Sequence, residues 1–289
     1  MPRERAKERA CDSAIRKTLA YRATFRYPLS YHQLFNTLIS IRIFKKEFFD
    51  KELNKLVKTA QIGYRDGKYF DKRIKPVSWE FRYKQSKEAL YKVEKVIKVL
   101  KNIPWIKLLC VTGSVAAFNS DKGSDIDIFV VTKTHRLWLT RGFVAVILKA
   151  MGMYIRKDSD PGRICPNLFI DEEAFAWPNN DRSIFTAHEI ILMHPLIDRD
   201  QTYLKFLRAN DWVKSHFANF NLYTGGMKTK KLSSGSRLVN LLEKIATKLQ
   251  LKYMEKKRTN EVTNKHMIHF RKNDNTGWIL ESYKKLSKS

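Results

Sequence analysis

The chain has 289 residues, 43% hydrophobic and 12% aromatic; that is enough apolar side chain for cores in about two domains and excludes whole-chain disorder. Eleven glycines and eight prolines exclude collagen-like and low-complexity classes, and three scattered cysteines (Cys11, Cys110, Cys165) without metal-ligand spacing fit a reducing cytoplasm better than a disulfide scaffold or zinc site. The net charge of +27 is uneven: residues 1–110 carry 27 Lys/Arg against 11 Asp/Glu, residues 226–289 carry 16 against 5, and residues 111–225 carry 13 of each. A neutral centre between two basic arms suits a catalytic or nucleotide-handling core with a polyanion-gripping periphery; a Lys-rich, well-solvated surface would give the same counts. No apolar run approaches the ~18–20 residues of a membrane span. The N-terminus mixes Glu4, Glu8 and Asp12 with its basic residues, unlike a signal or transit peptide. The chain therefore reads as soluble and cytoplasmic, with no membrane partner and an open oligomeric state.

Taken in chain order, residues 1–76 form a basic unit. Ser30 and Gln33 make a capping box that opens a helix with Leu34, Leu38 and Ile39 on its apolar face. A second helix is expected near 48–60, and Asp66-Gly67 between two short β-prone runs signals a type I′ hairpin. Helix, helix, helix, hairpin is a winged-helix-like order. Such a unit would dock nucleic acid with Arg65 or Lys68 on a phosphate, or serve only for packing or protein contacts.

A long helix capped by Ser78 is expected over 78–102, with Leu90, Val93, Val96, Ile97 and Leu100 in helical period and Pro104 as its stop. A β-rich stretch at 105–132, a helix at 135–152 and a strand near 166–171 follow, so 77–180 is the expected catalytic domain. Residues 181–225 read as a helical extension. Residues 226–289 read as a basic helical C-terminal region, with a linker at 224–236 and an amphipathic helix at 237–257. Its stripe of Leu238, Leu241, Leu242, Ile245 and Leu249 is assigned to core packing, with a dimer seam or membrane surface as the alternative. Lys256, Lys257 and Arg258 end that helix as a solvated cap or an RNA-phosphate contact.

The chemistry concentrates at 108–132, LLCVTGSVAAFNSDKGSDIDIFVVT. An apolar strand runs into Gly113-Ser114, and a second apolar strand carries Asp125 and Asp127. Residues two apart on a strand share a face, so the two carboxylates project side by side. Their repulsion is relieved by a hard divalent cation such as Mg²⁺. Gly113 permits close backbone approach, while Ser114 and Ser124 offer polar groups to a phosphate.

This pattern resembles the nucleotidyltransferase superfamily related to DNA polymerase beta: hydrophobic strand, Gly-Ser, about ten residues, then Asp-x-Asp in a second strand. The resemblance implies an α+β fold with a mixed sheet and flanking helices. It implies a site for an NTP, ATP included, and for two Mg²⁺ or Mn²⁺ ions. It also implies a third acid on a neighbouring strand. Asp171, ending NLFID, is the natural candidate, with Glu172, Glu173 or no third ligand as alternatives. Arg136 and Arg141, in HRLWLTR, are candidates for the triphosphate or plain surface charge, while His135, His188 and His194 lack metal spacing and read as structural. FRYPLSYHQL, RLWLTR, CPNLFIDEEA, TAHEI and KYMEKKRTNE also look like segments of bacterial nucleotidyltransferase-domain proteins. The Arg-Gly-Thr turn of archaeal-type CCA-adding enzymes is replaced here by Val115-Ala-Ala-Phe-Asn119, so a tRNA role is allowed rather than indicated.

The expected activity is transfer of a nucleoside monophosphate from an NTP to an RNA 3′-hydroxyl, tRNA included. The alternatives are transfer to a small molecule or protein, as in defence or toxin–antitoxin enzymes, and a non-catalytic nucleic-acid-binding regulator. All the catalytic readings assume that Asp125, Asp127 and Asp171 cluster.

Overall fold

The computed structural model describes residues 2–156, 160–220, 237–255, 261–270 and 275–288. Three helices open the chain: α1 (Pro2–Ala23), α2 (Tyr31–Asn36) and α3 (Lys46–Lys58). The Ser30 side chain accepts from Gln33 N, and Gln33 Oε1 accepts from Ser30 N, which completes the capping box. A hairpin follows, β1 (Gly63–Arg65) with β2 (Lys68–Phe70). Its turn residues Asp66 (φ 51°) and Gly67 (φ 72°) both take the positive φ a type I′ turn needs. Cys11, Ile15, Leu19, Leu34, Leu38, Phe49, Leu53 and Leu56 bury together, so this unit has its own core.

The central sheet contains β3 (Ile106–Val111), β4 (Ile126–Thr132), β5 (Ile164–Asp171), β6 (His194–Asp198), β7 (Glu261–Thr263) and β8 (Met267–Phe270), in the order β6-β3-β4-β5-β8-β7. β4 and β5 pair in parallel; the other pairings are antiparallel. Both faces of the central strands are covered, which is why they read as continuous apolar runs. Ile106, Val111, Ile126, Ile128 and Val130 bury against α4 (Trp79–Leu100) and α6 (Leu137–Ala150). Leu108, Cys110, Phe129, Val131 and Ile170 bury against α7 (Ile184–Leu192) and α8 (Thr202–Ala209). Between β3 and β4 lies the single turn α5 (Gly113–Ala116). Among the described residues no helix is long and apolar enough to cross a membrane.

Three expectations change. The helical extension contains β6, a five-residue edge strand that tolerates Pro195 because its outer side has no partner strand. The C-terminal region is not purely helical: between α9 (Arg237–Glu255) and α10 (Thr276–Lys288), the β7–β8 hairpin extends the central sheet beyond β5. Nor is the leucine stripe of α9 core. Leu238, Leu241, Leu242, Ile245 and Leu249 are exposed, and α9 docks instead through Met254, Ala246 and Leu251 on the core and through a polar edge. Glu243 accepts from Trp138 N (2.8 Å) and Leu139 N (3.0 Å), capping the first turn of α6. Asn240 and Gln250 bond to Arg136 and Arg141.

Candidate active site

The Gly-Ser turn and the acid pair meet as the motif predicts. Thr112 N donates to Asp127 O (3.0 Å), which locks the end of β3 to the start of β4. Gly113 sits at φ 63°, and a Cβ there would stand 2.9 Å from Asp127 Oδ2. Only glycine fits so close beneath that carboxylate. Ser114 is exposed at the mouth of the turn. One ligand atom each from Asp125, Asp127 and Cys165 lies within 4.8 Å of the others. Desolvation raises the Asp125 carboxyl above its usual range. Asp127 is pushed up to about 7, first by burial and then by the charges of Asp125 and Glu189. Such a pair is electrostatically incomplete and fits a divalent cation. The carboxylates suit Mg²⁺ or Mn²⁺, whereas the Cys165 thiol is the soft outlier among the three.

Asp171 is not part of this cluster. Parallel pairing sets Asp127 opposite Cys165 and Thr132 opposite Asp171, so Asp171 lies six residues farther along β5, or about 20 Å. It is 1% exposed; Oδ2 bonds His266 Nδ1 (2.9 Å) and Oδ1 accepts from Glu173 N (3.0 Å). It ties the β7–β8 turn to the sheet. Neither neighbouring acid replaces it: Glu172 accepts from Thr134 N at that same end of the strand, and Glu173 faces His266. Arg136 and Arg141 are likewise misplaced for a triphosphate, because α6 starts beyond the far end of β4 and both bond to α9. Ser124 is absorbed in its own turn, its hydroxyl exchanging hydrogen bonds with Asp121. Arg65 is exposed on the hairpin beside Asp66, and Lys68 Nζ lies 4.0 Å from the Trp79 ring centroid. Lys256, Lys257 and Arg258 lie outside the described residues.

The structure supplies other walls instead. A cleft of about 400 Å³ opens beside Gly113, Ser114 and Asp127 and is lined further by Asn167, His188 and Glu189. Asn167 is the extra residue where the β4–β5 register shifts between Ile128 and Phe129. Glu189 accepts from Gly113 N–H, and burial pushes its carboxyl up to about 7. Arg22 of α1 and Phe25 just after it, and Thr276 and Ile279 of α10, close the cleft from the two basic arms. Sequence reasoning passed over Arg22, Asn167 and Glu189 and read His188 as structural. The available signals were a lone cation inside the apolar run TLAYRATF and a His-Glu pair inside the apolar helix IFTAHEIIL.

Residues 93–158 match the family model of the nucleotidyltransferase domain. No characterised relative and no solved structure matches the chain. With the mixed sheet, the Gly-Ser turn and the adjacent aspartates, that segment is a nucleotidyltransferase domain of the polymerase beta-like superfamily. Its substrate is an NTP and its general reaction is transfer of a nucleoside monophosphate.

Proposed function

We propose that the chain transfers a nucleoside monophosphate from an NTP to the 3′-hydroxyl of an RNA, tRNA included, in the cytoplasm. The observation that carries this reading is the placement of Asp127, the partner of Asp125, in a cleft lined by residues of both basic arms. An acceptor entering that cleft passes between segments that hold the whole net positive charge. Phosphate neutralisation by Lys and Arg is the main source of affinity for a polyanion. Arg65 and Lys68 on the hairpin, and Lys256, Lys257 and Arg258, are the candidate backbone contacts, and the first three helices and hairpin are the winged-helix-like docking unit. Transfer to a small acceptor would leave this charge without a task.

Asp125 and Asp127 would hold the Mg²⁺ or Mn²⁺ that the reaction requires. Such cations, when bound, neutralise phosphate charge and acidify the attacking hydroxyl. Ser114 lies within the same turn to orient the phosphates. The acceptor oxygen bonds to the α-phosphorus, the bond from that phosphorus to the α–β bridging oxygen breaks, and pyrophosphate leaves. The proton passes to a carboxylate of the cleft, for which Glu189, lining it beside Asp127, is the candidate.

The test is incorporation of labelled NTP into total RNA, protein or metabolite extract, with Mg²⁺ or Mn²⁺. Label in RNA that disappears with Asp125→Ala supports the reading. Label only in protein or metabolites moves the acceptor to the alternative class. RNA binding with a steep salt dependence and no incorporation favours the regulator.

A further inference from the structure

Arg22 is 4% exposed yet lines the cleft with Gly113, Ser114, Asp127 and Glu189. Its guanidinium has no ion pair among the described residues. One terminal nitrogen (Nη1) reaches His188 Nε2 at 3.1 Å, and Nε has no hydrogen-bond partner. Arginine only donates, so Nε2 accepts and the imidazole is neutral with its proton on Nδ1. Burial and the adjacent cation favour that neutral form. The Tyr27 and Phe25 rings flank the guanidinium at 4.9 and 5.9 Å. The nearby carboxylate, Glu189, is engaged by Gly113 N–H. A buried cation held by a neutral imidazole and two rings, with Glu189 attracting it only from beyond ion-pair distance, is under-compensated, and removing a charge from water without a close partner is unfavourable.

We infer that the missing close partner belongs to the substrate: Arg22 binds the triphosphate of the incoming NTP. This rests on the nucleotidyltransferase reading of the site and extends it, because Arg22 comes from α1, far outside residues 93–158. The cleft's volume of about 400 Å³ has room for a nucleotide. Arg22 lines it together with Gly113, Ser114 and Asp127, the groups that would hold the phosphates of a bound nucleotide. His188 fixes one edge of the guanidinium and leaves Nε for a phosphate oxygen. The N-terminal arm thereby becomes part of the nucleotide site, so its docking on the sheet and NTP binding are linked.

Calorimetric titration of the full chain with each NTP in its non-hydrolysable α,β-methylene form, and with each nucleoside, in Mn²⁺, tests the assignment on wild type, Arg22→Met and Arg22→Lys. Arg22→Met is expected to weaken triphosphate binding at least tenfold and to leave nucleoside binding unchanged. Its thermal midpoint is expected to hold or rise, since an unmatched buried charge is replaced by an apolar chain. Arg22→Lys should keep part of the affinity. A folded Arg22→Met that binds NTP within twofold of wild type overturns the inference, as does loss of RNA binding with NTP affinity retained. Should Arg22→Met not fold, inorganic tripolyphosphate decides: it is expected to raise the wild-type thermal midpoint and to do so less for Arg22→Lys, and equal or absent shifts refute the assignment. Wild type binding none of the four NTPs would instead bring down the nucleotidyltransferase reading, and this inference with it.

Discussion

Replacing Asp171 by Ala separates two accounts of this site. If a trio of aspartates performed the chemistry, the variant would lose orders of magnitude in rate. The structure assigns Asp171 a different task. Its two carboxylate oxygens accept from Glu173 N at 3.0 Å and pair with His266 Nδ1 at 2.9 Å, at 1% exposure. Removing them leaves the Glu173 backbone N–H and the His266 ring nitrogen, both only half-buried, without their acceptor, at up to about 1–3 kcal/mol each. Partial relaxation of the exposed side of the turn brings the expected loss to about 2–4 kcal/mol. Urea denaturation should show a lower midpoint with an unchanged slope. Hydrogen exchange should rise first in the β7–β8 hairpin, whose His266 carbonyl also accepts from Asp171 N. Pyrophosphate release, measured where both proteins are folded, should stay within threefold of wild type, whereas Asp127→Asn should cut it at least a thousandfold. A folded Asp171→Ala protein with a hundredfold lower rate would refute this reasoning and return Asp171 to the chemistry.

The acid pair makes metal-free stability depend on pH. Asp127 titrates in the unfolded chain near its ordinary 3.8 and in the fold at about 7, so the unfolded state loses its proton first and stability is lost as pH climbs between those values. A shift of that size corresponds to at most about 4 kcal/mol. Asp127→Asn should therefore gain stability relative to wild type from pH 4 to 7 in chelator, and Mn²⁺ at pH 7.5 should raise the wild-type midpoint but not the variant's. Gly113→Ala places a Cβ 2.9 Å from Asp127 Oδ2 at φ 63°. It should cost about 1–2 kcal/mol from the left-handed backbone and, by displacing the carboxylate, weaken Mn²⁺ affinity at least tenfold by titration. Glu243→Ala removes the acceptor of Trp138 N and Leu139 N; a loss of about 1–2 kcal/mol is expected from the lost cap, with faster exchange at the start of α6 and little effect on turnover.

What was legible in the sequence is what neighbouring residues decide. Gly113, Asp125 and Asp127 could be grouped because a turn and a two-residue strand period fix them within twenty residues of each other. The Ser30 and Ser78 caps and the Asp66-Gly67 turn are local for the same reason. Asp171 was rightly placed at a strand end, but which end of β5 faces Asp127 is set by the direction and register of pairing. A parallel strand puts Cys165 there, and no local pattern encodes that choice. The leucines of α9 show the same limit: helical period gives a stripe but not the side on which the helix docks, and the side chosen was the one whose Glu243 could satisfy the bare N–H groups of α6.

The largest gap between sequence and site lies in the two termini, and it has a physical origin. An acid pair that must hold a cation and a triphosphate needs walls that exclude water and supply charge, and a β-strand, one helical turn and another strand cannot enclose it. Here α7 brings His188 and Glu189, α1 and the turn after it bring Arg22 and Phe25, and α10 brings Thr276 and Ile279. These segments are distant in the chain and meet where Tyr21 of α1 packs edge-on against both His188 of α7 and Tyr283 of α10. One buried ring thus touches both basic arms beside the cleft. Shortening that ring by Tyr21→Leu should loosen α1 and α10 together and weaken NTP binding by more than it weakens RNA binding, since the exposed charges of the arms survive while the cleft opens. Comparing the two affinities by titration checks this: equal losses would mean that the arms grip RNA without shaping the nucleotide site.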